Sequence, residues 1–197
     1  MIVGLDIDGV VADFISPFLR FLEKRVGKGP IGLESITDLN FLNHPFLSEE
    51  IVVECIQNVS DDPKFWQGLA PLPTTSQWKL LDDLSRQRRL IFVTHRYERE
   101  NYSIHQVTCD WLEQHGVSQP VVHFTQTYKS ELIGKLNIEL FVDDRHENCR
   151  DVAEKTPALV FMPHRTYNQS FEHPRVQRIQ DLDELFAYLG REPAKNM

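Results

Sequence analysis

The sequence predicts an α/β protein with a Rossmann-like three-layer core built on a parallel sheet, interrupted early by a small inserted helical cap. Three observations carry that expectation. Short, continuously apolar runs recur at residues 2–5, 90–93, 121–124, 138–142 and 159–162, and unbroken apolar character is what a strand covered on both faces requires. Amphipathic helical spacing lies between most of these runs, and strand–helix alternation implies parallel pairing through right-handed crossovers. The interval between the first two runs is too long for a single crossover and carries helical patterns of its own.

The first run ends on Asp6-Ile7-Asp8-Gly9. In open α/β sheets the ligand site lies beyond the carboxyl ends of the strands, so both carboxylates fall where ligands bind. Gly9 permits a close backbone approach or a positive φ there. Two anions placed together need a cation, a shared proton, or both.

The long interval contains helical patterns over 14–26 and 48–59 and a short one beginning at Pro63 after Asp62, a proline-at-first-turn start. Residues 14–73 are therefore expected to form the cap, and 1–13 with 74–197 the core. The cap is rich in aromatic residues. Phe14, Phe18 and Phe21 follow helical spacing and read mainly as core, but Phe14, Phe18 and Trp66 are also candidates for the wall of a substrate pocket. Within the same interval, Gly27-Lys28-Gly29-Pro30-Ile31-Gly32 matches a dinucleotide-binding fingerprint. It follows a helix instead of a strand and contains a proline, so it reads as a loop.

Trp78, Leu81 and Leu84 then mark a helix capped at Thr75 or Ser76. The second apolar run leads into Thr94-His95-Arg96, which places a hydroxyl and backbone N–H groups at a strand end, a cradle suited to phosphate. Ile104, Val107, Trp111 and Leu112 form a helical stripe that stops before Gly116. After the third run, Lys129 opens a helical pattern, where its ammonium and the helix N-terminus both favour an anion. The fourth run ends on Asp143-Asp144-Arg145. His95 and His146 flank these positions and are within reach of a ligand. Leu182, Leu185, Phe186 and Leu189 define a last helix with Asp181 as cap, and residues 190–197 are expected to fray.

Composition narrows the function classes. The 197 residues carry a formal charge of −8, which argues against a general nucleic-acid surface, because such surfaces are basic. The cluster Arg86, Arg88, Arg89 reads as the solvated end of a helix. Three dispersed cysteines suggest neither a disulfide framework nor a zinc site, and a reducing cytoplasm is the simplest home. The apolar start is broken by Asp6 and carries no basic leader, so neither a signal peptide nor a membrane association is expected.

The order D-x-D-G, strand-Thr, Lys, strand-Asp-Asp resembles the four motifs of the haloacid dehalogenase superfamily of phosphohydrolases, here Asp6-Ile7-Asp8-Gly9, Thr94, Lys129 and Asp143-Asp144. Within that superfamily the chain looks most like the 5'(3')-deoxyribonucleotidases. The supporting segments are Asp8-Gly9-Val10-Val11-Ala12-Asp13-Phe14, Lys64-Phe65-Trp66-Gln67-Gly68-Leu69-Ala70-Pro71-Leu72-Pro73 and Tyr167-Asn168.

The resemblance implies Asp6 as the nucleophile and Asp8 as the acid that protonates the leaving oxygen and later activates water. Thr94, His95 and Lys129 would hold the phosphate. Mg2+ would be bound by Asp6, the backbone carbonyl of Asp8 and one of Asp143 and Asp144, with Asp144 favoured as the direct ligand. Charge makes the same demand: two like charges ~4 Å apart repel by about 4 kcal/mol at an effective dielectric of ~20, and one lysine cannot offset several carboxylates and a phosphate.

The expected activity is hydrolysis of a phosphomonoester, a (deoxy)nucleoside monophosphate foremost, through an aspartyl-phosphate. The alternatives are another small phosphoester, or a non-catalytic phosphoacceptor or Mg2+-binding module. A receiver domain also uses Asp, Thr and Lys, but there the acidic pair precedes the phosphoacceptor, whereas here it comes last. The segment after Thr94 departs from the family pattern with the charged residues Arg96, Glu98 and Arg99. The cap is small enough that a second subunit could complete the pocket as a homodimer.

Overall fold

The computed structural model describes residues 1–191. The chain starts with strand β1 (Val3–Leu5), every residue of which is buried, and a two-residue strand β2 (Ala12–Asp13). Helices α1 (Ile15–Val26), α2 (Glu49–Ser60) and α3 (Pro63–Gln67) follow, and the chain returns through β3 (Ala70–Pro71). β2 and β3 pair antiparallel, Ala12 opposite Pro71 and Asp13 opposite Ala70, so a short ribbon ties the beginning of the helical insertion to its end. The remaining elements are α4 (Thr75–Arg86), β4 (Leu90–Thr94), α5 (Ile104–Gln114), β5 (Val122–Phe124), α6 (Lys129–Lys135), β6 (Leu140–Val142), α7 (His146–Lys155), β7 (Leu159–Pro163), β8 (Val176–Ile179) and α8 (Leu182–Arg191).

Among the described residues the main sheet has six strands in the order β5-β4-β1-β6-β7-β8, all paired in parallel. β1 is thus central, with the chain winding outward from it in both directions. That is the switch point at which α/β sheets open a crevice. Alternate residues of these strands face opposite layers. Leu5, Phe92, Leu140 and Val142 pack with Leu81, Trp111, Leu112 and Leu185 of α4, α5 and α8. Val93, Phe141, Val160 and Met162 pack with Ile133, Cys149 and Val152 of α6 and α7. Gly4 lies on this second side because a Cβ there would sit 2.9 Å from Ile138 Cγ2 and 3.1 Å from Phe141 Cδ2.

The insertion has an apolar cluster of its own, in which Phe18, Leu22, Ile36, Phe41, Cys55 and Val59 are buried together with Tyr167 from the core. Asp62 caps α3, accepting from Lys64 N at 2.9 Å. The fingerprint-like segment is a loop that follows helix α1 directly: Gly27 ends α1 in the left-handed conformation.

Several local expectations shift. The cap of α4 is Thr74, one residue before the expected Thr75 or Ser76, because Thr74 and Gln77 form a reciprocal box: Gln77 N donates to Thr74 Oγ1 at 3.3 Å and Thr74 N to Gln77 Oε1 at 2.9 Å. β8 was not legible as an apolar run, since it is an edge strand that leaves Gln177 exposed. α7 was understated by the sequence, because its buried stripe relies on Cys149, Asp151, Val152 and Ala153. Asp181 does cap α8, accepting from Asp183 N at 2.8 Å. Of the tail expected to fray, Gly190 and Arg191 close α8, and residues 192–197 lie outside the described residues. Among the described residues no helix is long and apolar enough to cross a membrane.

Candidate active site

Parallel register brings three strand ends to one edge. Leu5 is level with Phe92 of β4 and with Val142 of β6, so Asp6 and Asp143 emerge side by side, with Thr94 one position further along β4. Asp6 is fixed from its backbone, where its N–H donates to Val142 O at 2.8 Å, and its Oδ1 accepts from Ile7 N at 2.8 Å. Lys129, the first residue of α6, is fully buried and bridges two carboxylates, with Nζ 2.9 Å from Asp6 Oδ1 and 2.7 Å from Asp143 Oδ2. Asp143 also accepts from Arg145 N at 2.8 Å and Asn148 Nδ2 at 3.0 Å, so its lone pairs are occupied.

Asp144 is held differently. Tyr167 donates its hydroxyl to Asp144 Oδ2, and Asn168 Nδ2 donates to the Asp144 carbonyl at 2.8 Å. Asp144 Oδ1 is buried and has no hydrogen-bond partner. Gly9 makes room for this carboxylate: at φ 81° a Cβ would lie 1.9 Å from Asp144 Oδ2. The turn is pinned from the far side by Arg165, whose Nη2 donates to Gly9 O at 2.8 Å.

Asp8 points elsewhere. Its two oxygens accept from one guanidinium, Arg96 Nη2 to Oδ1 at 2.7 Å and Arg96 Nε to Oδ2 at 2.9 Å. Thr94 closes β4 and His95 follows it, with Nε2 3.0 Å from Thr127 O, which makes that nitrogen the donor. Burial, then the nearby Lys129 cation, holds the His95 ring below its ordinary pKa.

Three carboxylates, Asp6, Asp143 and Asp144, share one ammonium in this cluster. Burial pushes the Asp6 carboxyl well above its ordinary value, and Asp143, Asp144 and Asp8 add to the push against the opposing pull of Lys129. Asp144 is pushed up to about 7 by burial and then by Asp143, with Tyr167 and Arg165 opposing. For Lys129 burial works against the charge, yet Asp143 and Asp6 overcome it and its pKa is raised.

Asp6, Asp143 and Asp144 each offer an oxygen, all within 4.8 Å of one another. An all-oxygen donor set, an orphaned carboxylate oxygen and surplus negative charge together fit a hard divalent cation.

The cluster floors a cavity of about 820 Å³. Asp6, Asp8, Thr94, His95, Arg96 and Asp144 line it from the core, and Phe14, Leu39, Phe41, Ile56 and Trp66 from the insertion. Phe18 is not on that wall. It is fully buried behind Phe14, ring centroids 5.2 Å apart, and packs on Phe41, because the helical turn that points Phe14 outward points Phe18 into the insertion's own core. His146 packs on Phe171, centroids 5.3 Å apart, and does not line the cavity. Sequence reasoning assigned no role to Arg96 or to Tyr167. The available signals were the charged departure after Thr94 and the pair Tyr167-Asn168 beyond the fifth apolar run.

A central-strand carboxylate, a threonine, a buried lysine and a closing acidic pair on this topology define a hydrolase of the haloacid dehalogenase superfamily. Solved structures share the fold. A HAD-superfamily hydrolase from Geobacter sulfurreducens aligns with TM-score 0.54 and 17% identity, covering 95% of each chain. The Protein Tyrosine Kinase A of Mycobacterium tuberculosis aligns with TM-score 0.59 and 16% identity, covering 96% of this chain and 97% of that one. At such identities the likeness concerns the fold alone.

The sequence assigns it more narrowly. Residues 1–191 match the family model described as "5' nucleotidase, deoxy (Pyrimidine), cytosolic type C protein", and the chain belongs to that family. A Halalkalibacterium halodurans protein described as a "putative nucleotidase" is 26% identical, over 94% of this chain and 91% of that protein. The chain is a phosphoric monoester hydrolase of the 5'-nucleotidase kind.

Proposed function

We propose that this enzyme hydrolyses (deoxy)nucleoside monophosphates with Mg2+ and an aspartyl-phosphate on Asp6, residues 14–73 acting as a cap over a core of 1–13 and 74–197. The observation that carries the reading is the Asp6–Lys129–Asp143 bridge beside the orphaned Asp144 Oδ1, on the floor of a cavity of about 820 Å³ walled by aromatic side chains. Pockets of this size take ligands with an apolar, aromatic-stacking body, which suits a nucleoside better than a small sugar phosphate. The three cysteines are free, with Cys55 and Cys149 buried, which suits a reducing cytoplasm.

Asp6 Oδ1 is held by Ile7 N and Lys129, which leaves Oδ2 to attack phosphorus. As that P–O bond forms, the bond to the nucleoside oxygen breaks and Asp8 gives the departing oxygen its proton. Asp8 then takes a proton from the water that attacks the aspartyl-phosphate, so phosphate leaves, Asp6 is freed and Asp8 is reprotonated. Thr94, His95 and Lys129 hold the phosphoryl oxygens, with Lys129 offsetting the charge that develops on them. Asp6, Asp144 and the Asp8 carbonyl would hold Mg2+, with Asp143 supporting, and the ion supplies the positive charge that a single lysine cannot.

The test is phosphate release from a panel of 5' and 3' ribo- and deoxyribonucleotides and small sugar phosphates, with Mg2+ and with EDTA, on wild type and Asp6→Asn. Metal-dependent release from one nucleotide class, abolished by Asp6→Asn, is the expected outcome. Release from sugar phosphates alone would remove the nucleotide assignment. Stable phosphorylation of Asp6 by acetyl phosphate without turnover would favour a phosphoacceptor module.

A further inference from the structure

Each carboxylate of the site has a holder, and both oxygens of Asp8 are gripped by a single guanidinium. Lys129 holds Asp6 and Asp143, and Tyr167 holds Asp144. Among the described residues, the Asp8 side chain accepts hydrogen bonds only from Arg96. We infer that Arg96 is a positioning residue that sets the carboxyl plane of Asp8 for proton transfer to the leaving oxygen, an inference that rests on the acid–base role proposed for Asp8 above.

The guanidinium is itself immobilised on every side. It is 3% exposed, its Nη1 donates to Thr108 Oγ1 at 3.1 Å, and its carbon lies 4.6 Å from the ring centroid of Trp66. Thr108 is fixed in turn on α5, where its hydroxyl donates to Ile104 O at 2.7 Å. A planar fork of this kind imposes orientation as well as charge, because two parallel N–H donors define the plane of the carboxyl group they grip. When Asp8 carries its proton, one oxygen remains an acceptor on Arg96 and the other presents O–H to the cavity, into which the Asp8 side chain is 24% exposed. A structural ion pair alone would not require the acid to stay open on one side.

The discriminating measurement is leaving-group dependence. 4-Nitrophenyl phosphate and 4-nitrobenzyl phosphate are close in shape and neither contains a base, but the first expels a stable phenolate and the second an alkoxide that needs a proton. Their kcat/KM values report steps up to phosphoryl transfer to Asp6, so only the benzyl ester senses a misplaced acid.

For Arg96→Gln the ratio of aryl to benzyl kcat/KM is expected to rise on the order of 10-fold or more, since small misplacements of an acid can cost about 10²-fold. For Thr108→Val, a change that does not touch the cavity, the ratio should rise in the same direction by roughly 3-fold. Asp8→Ala sets the upper limit of the effect. Melting temperatures identify any variant that fails to fold, and Arg96→Lys and Thr108→Val carry the test if Arg96→Gln does.

Equal losses on both esters in the Arg96 and Thr108 variants, with the ratio shifted in Asp8→Ala, would overturn the role of Arg96 while leaving Asp8 as the acid. An unchanged ratio in Asp8→Ala would overturn the acid assignment, and the positioning role with it.

Discussion

Lys129 Nζ lies 2.7 Å from Asp143 Oδ2 with both side chains fully buried, and the same ammonium is 2.9 Å from Asp6 Oδ1. One cation therefore fixes the ends of two adjacent strands. Lys129→Met would leave these carboxylates together without it. Losing one partner of a buried charge cluster costs about 3–5 kcal/mol, so urea unfolding in EDTA should show a loss of that order. Phosphatase activity should fall about 10²-fold or more. Full activity in this variant would refute a role for Lys129 in holding phosphate.

Tyr167 connects two parts of the molecule. Its ring is buried in the apolar cluster of the insertion, while its hydroxyl holds Asp144 Oδ2. Tyr167→Phe keeps the packing and frees the carboxylate. Groups that orient metal ligands typically contribute 10–100-fold in affinity, so calorimetric titration with Mg2+ should show about that weakening. An unchanged affinity would mean that Asp144 is not a direct ligand.

Asp144, pushed up to about 7, also makes a linkage prediction. An ordinary aspartate titrates near about 3.9. Between these values the folded protein keeps a proton that the unfolded chain has lost, so stability contributed by this group falls as pH rises and levels off above neutrality. In EDTA, wild type should lose melting temperature relative to Asp144→Asn between about pH 5 and about pH 7.5. Mg2+ should raise the wild-type melting temperature more at the upper end, where it no longer competes with the proton. A wild-type curve parallel to the variant's would exclude the shift.

Phe14 and Phe18, one helical turn apart, should separate cleanly. Phe18→Ala empties a fully buried site and should cost about 3–5 kcal/mol in unfolding experiments. Phe14→Ala alters the cavity wall and should raise KM for nucleotide with the smaller stability loss. The reverse pattern would place the substrate on another wall.

Much of the floor of the site was legible because strands covered on both faces must be apolar, so the residue that ends each run stands out. Asp6, Thr94 and Asp143-Asp144 were all found that way; parallel pairing brings such ends to one edge, and the placement of β4 and β6 on either side of β1 makes them neighbours. Lys129 was legible as the start of a helix.

The wall of the site was not legible. Spacing treats Phe14 and Phe18 alike, and only the packing of the insertion sends one to the cavity and the other to a core. The Asp8–Arg96 grip joins residues 88 apart and Tyr167–Asp144 joins residues 23 apart, and neither leaves a periodic trace. Apolar burial is encoded locally and repeatedly, so five of the six strands described in the sheet, and the residues that end them, could be read from the chain, whereas the edge strand β8 could not. A hydrogen bond between distant side chains is encoded once, in the geometry of the folded chain, so which partner orients each carboxylate was decided by the tertiary structure alone.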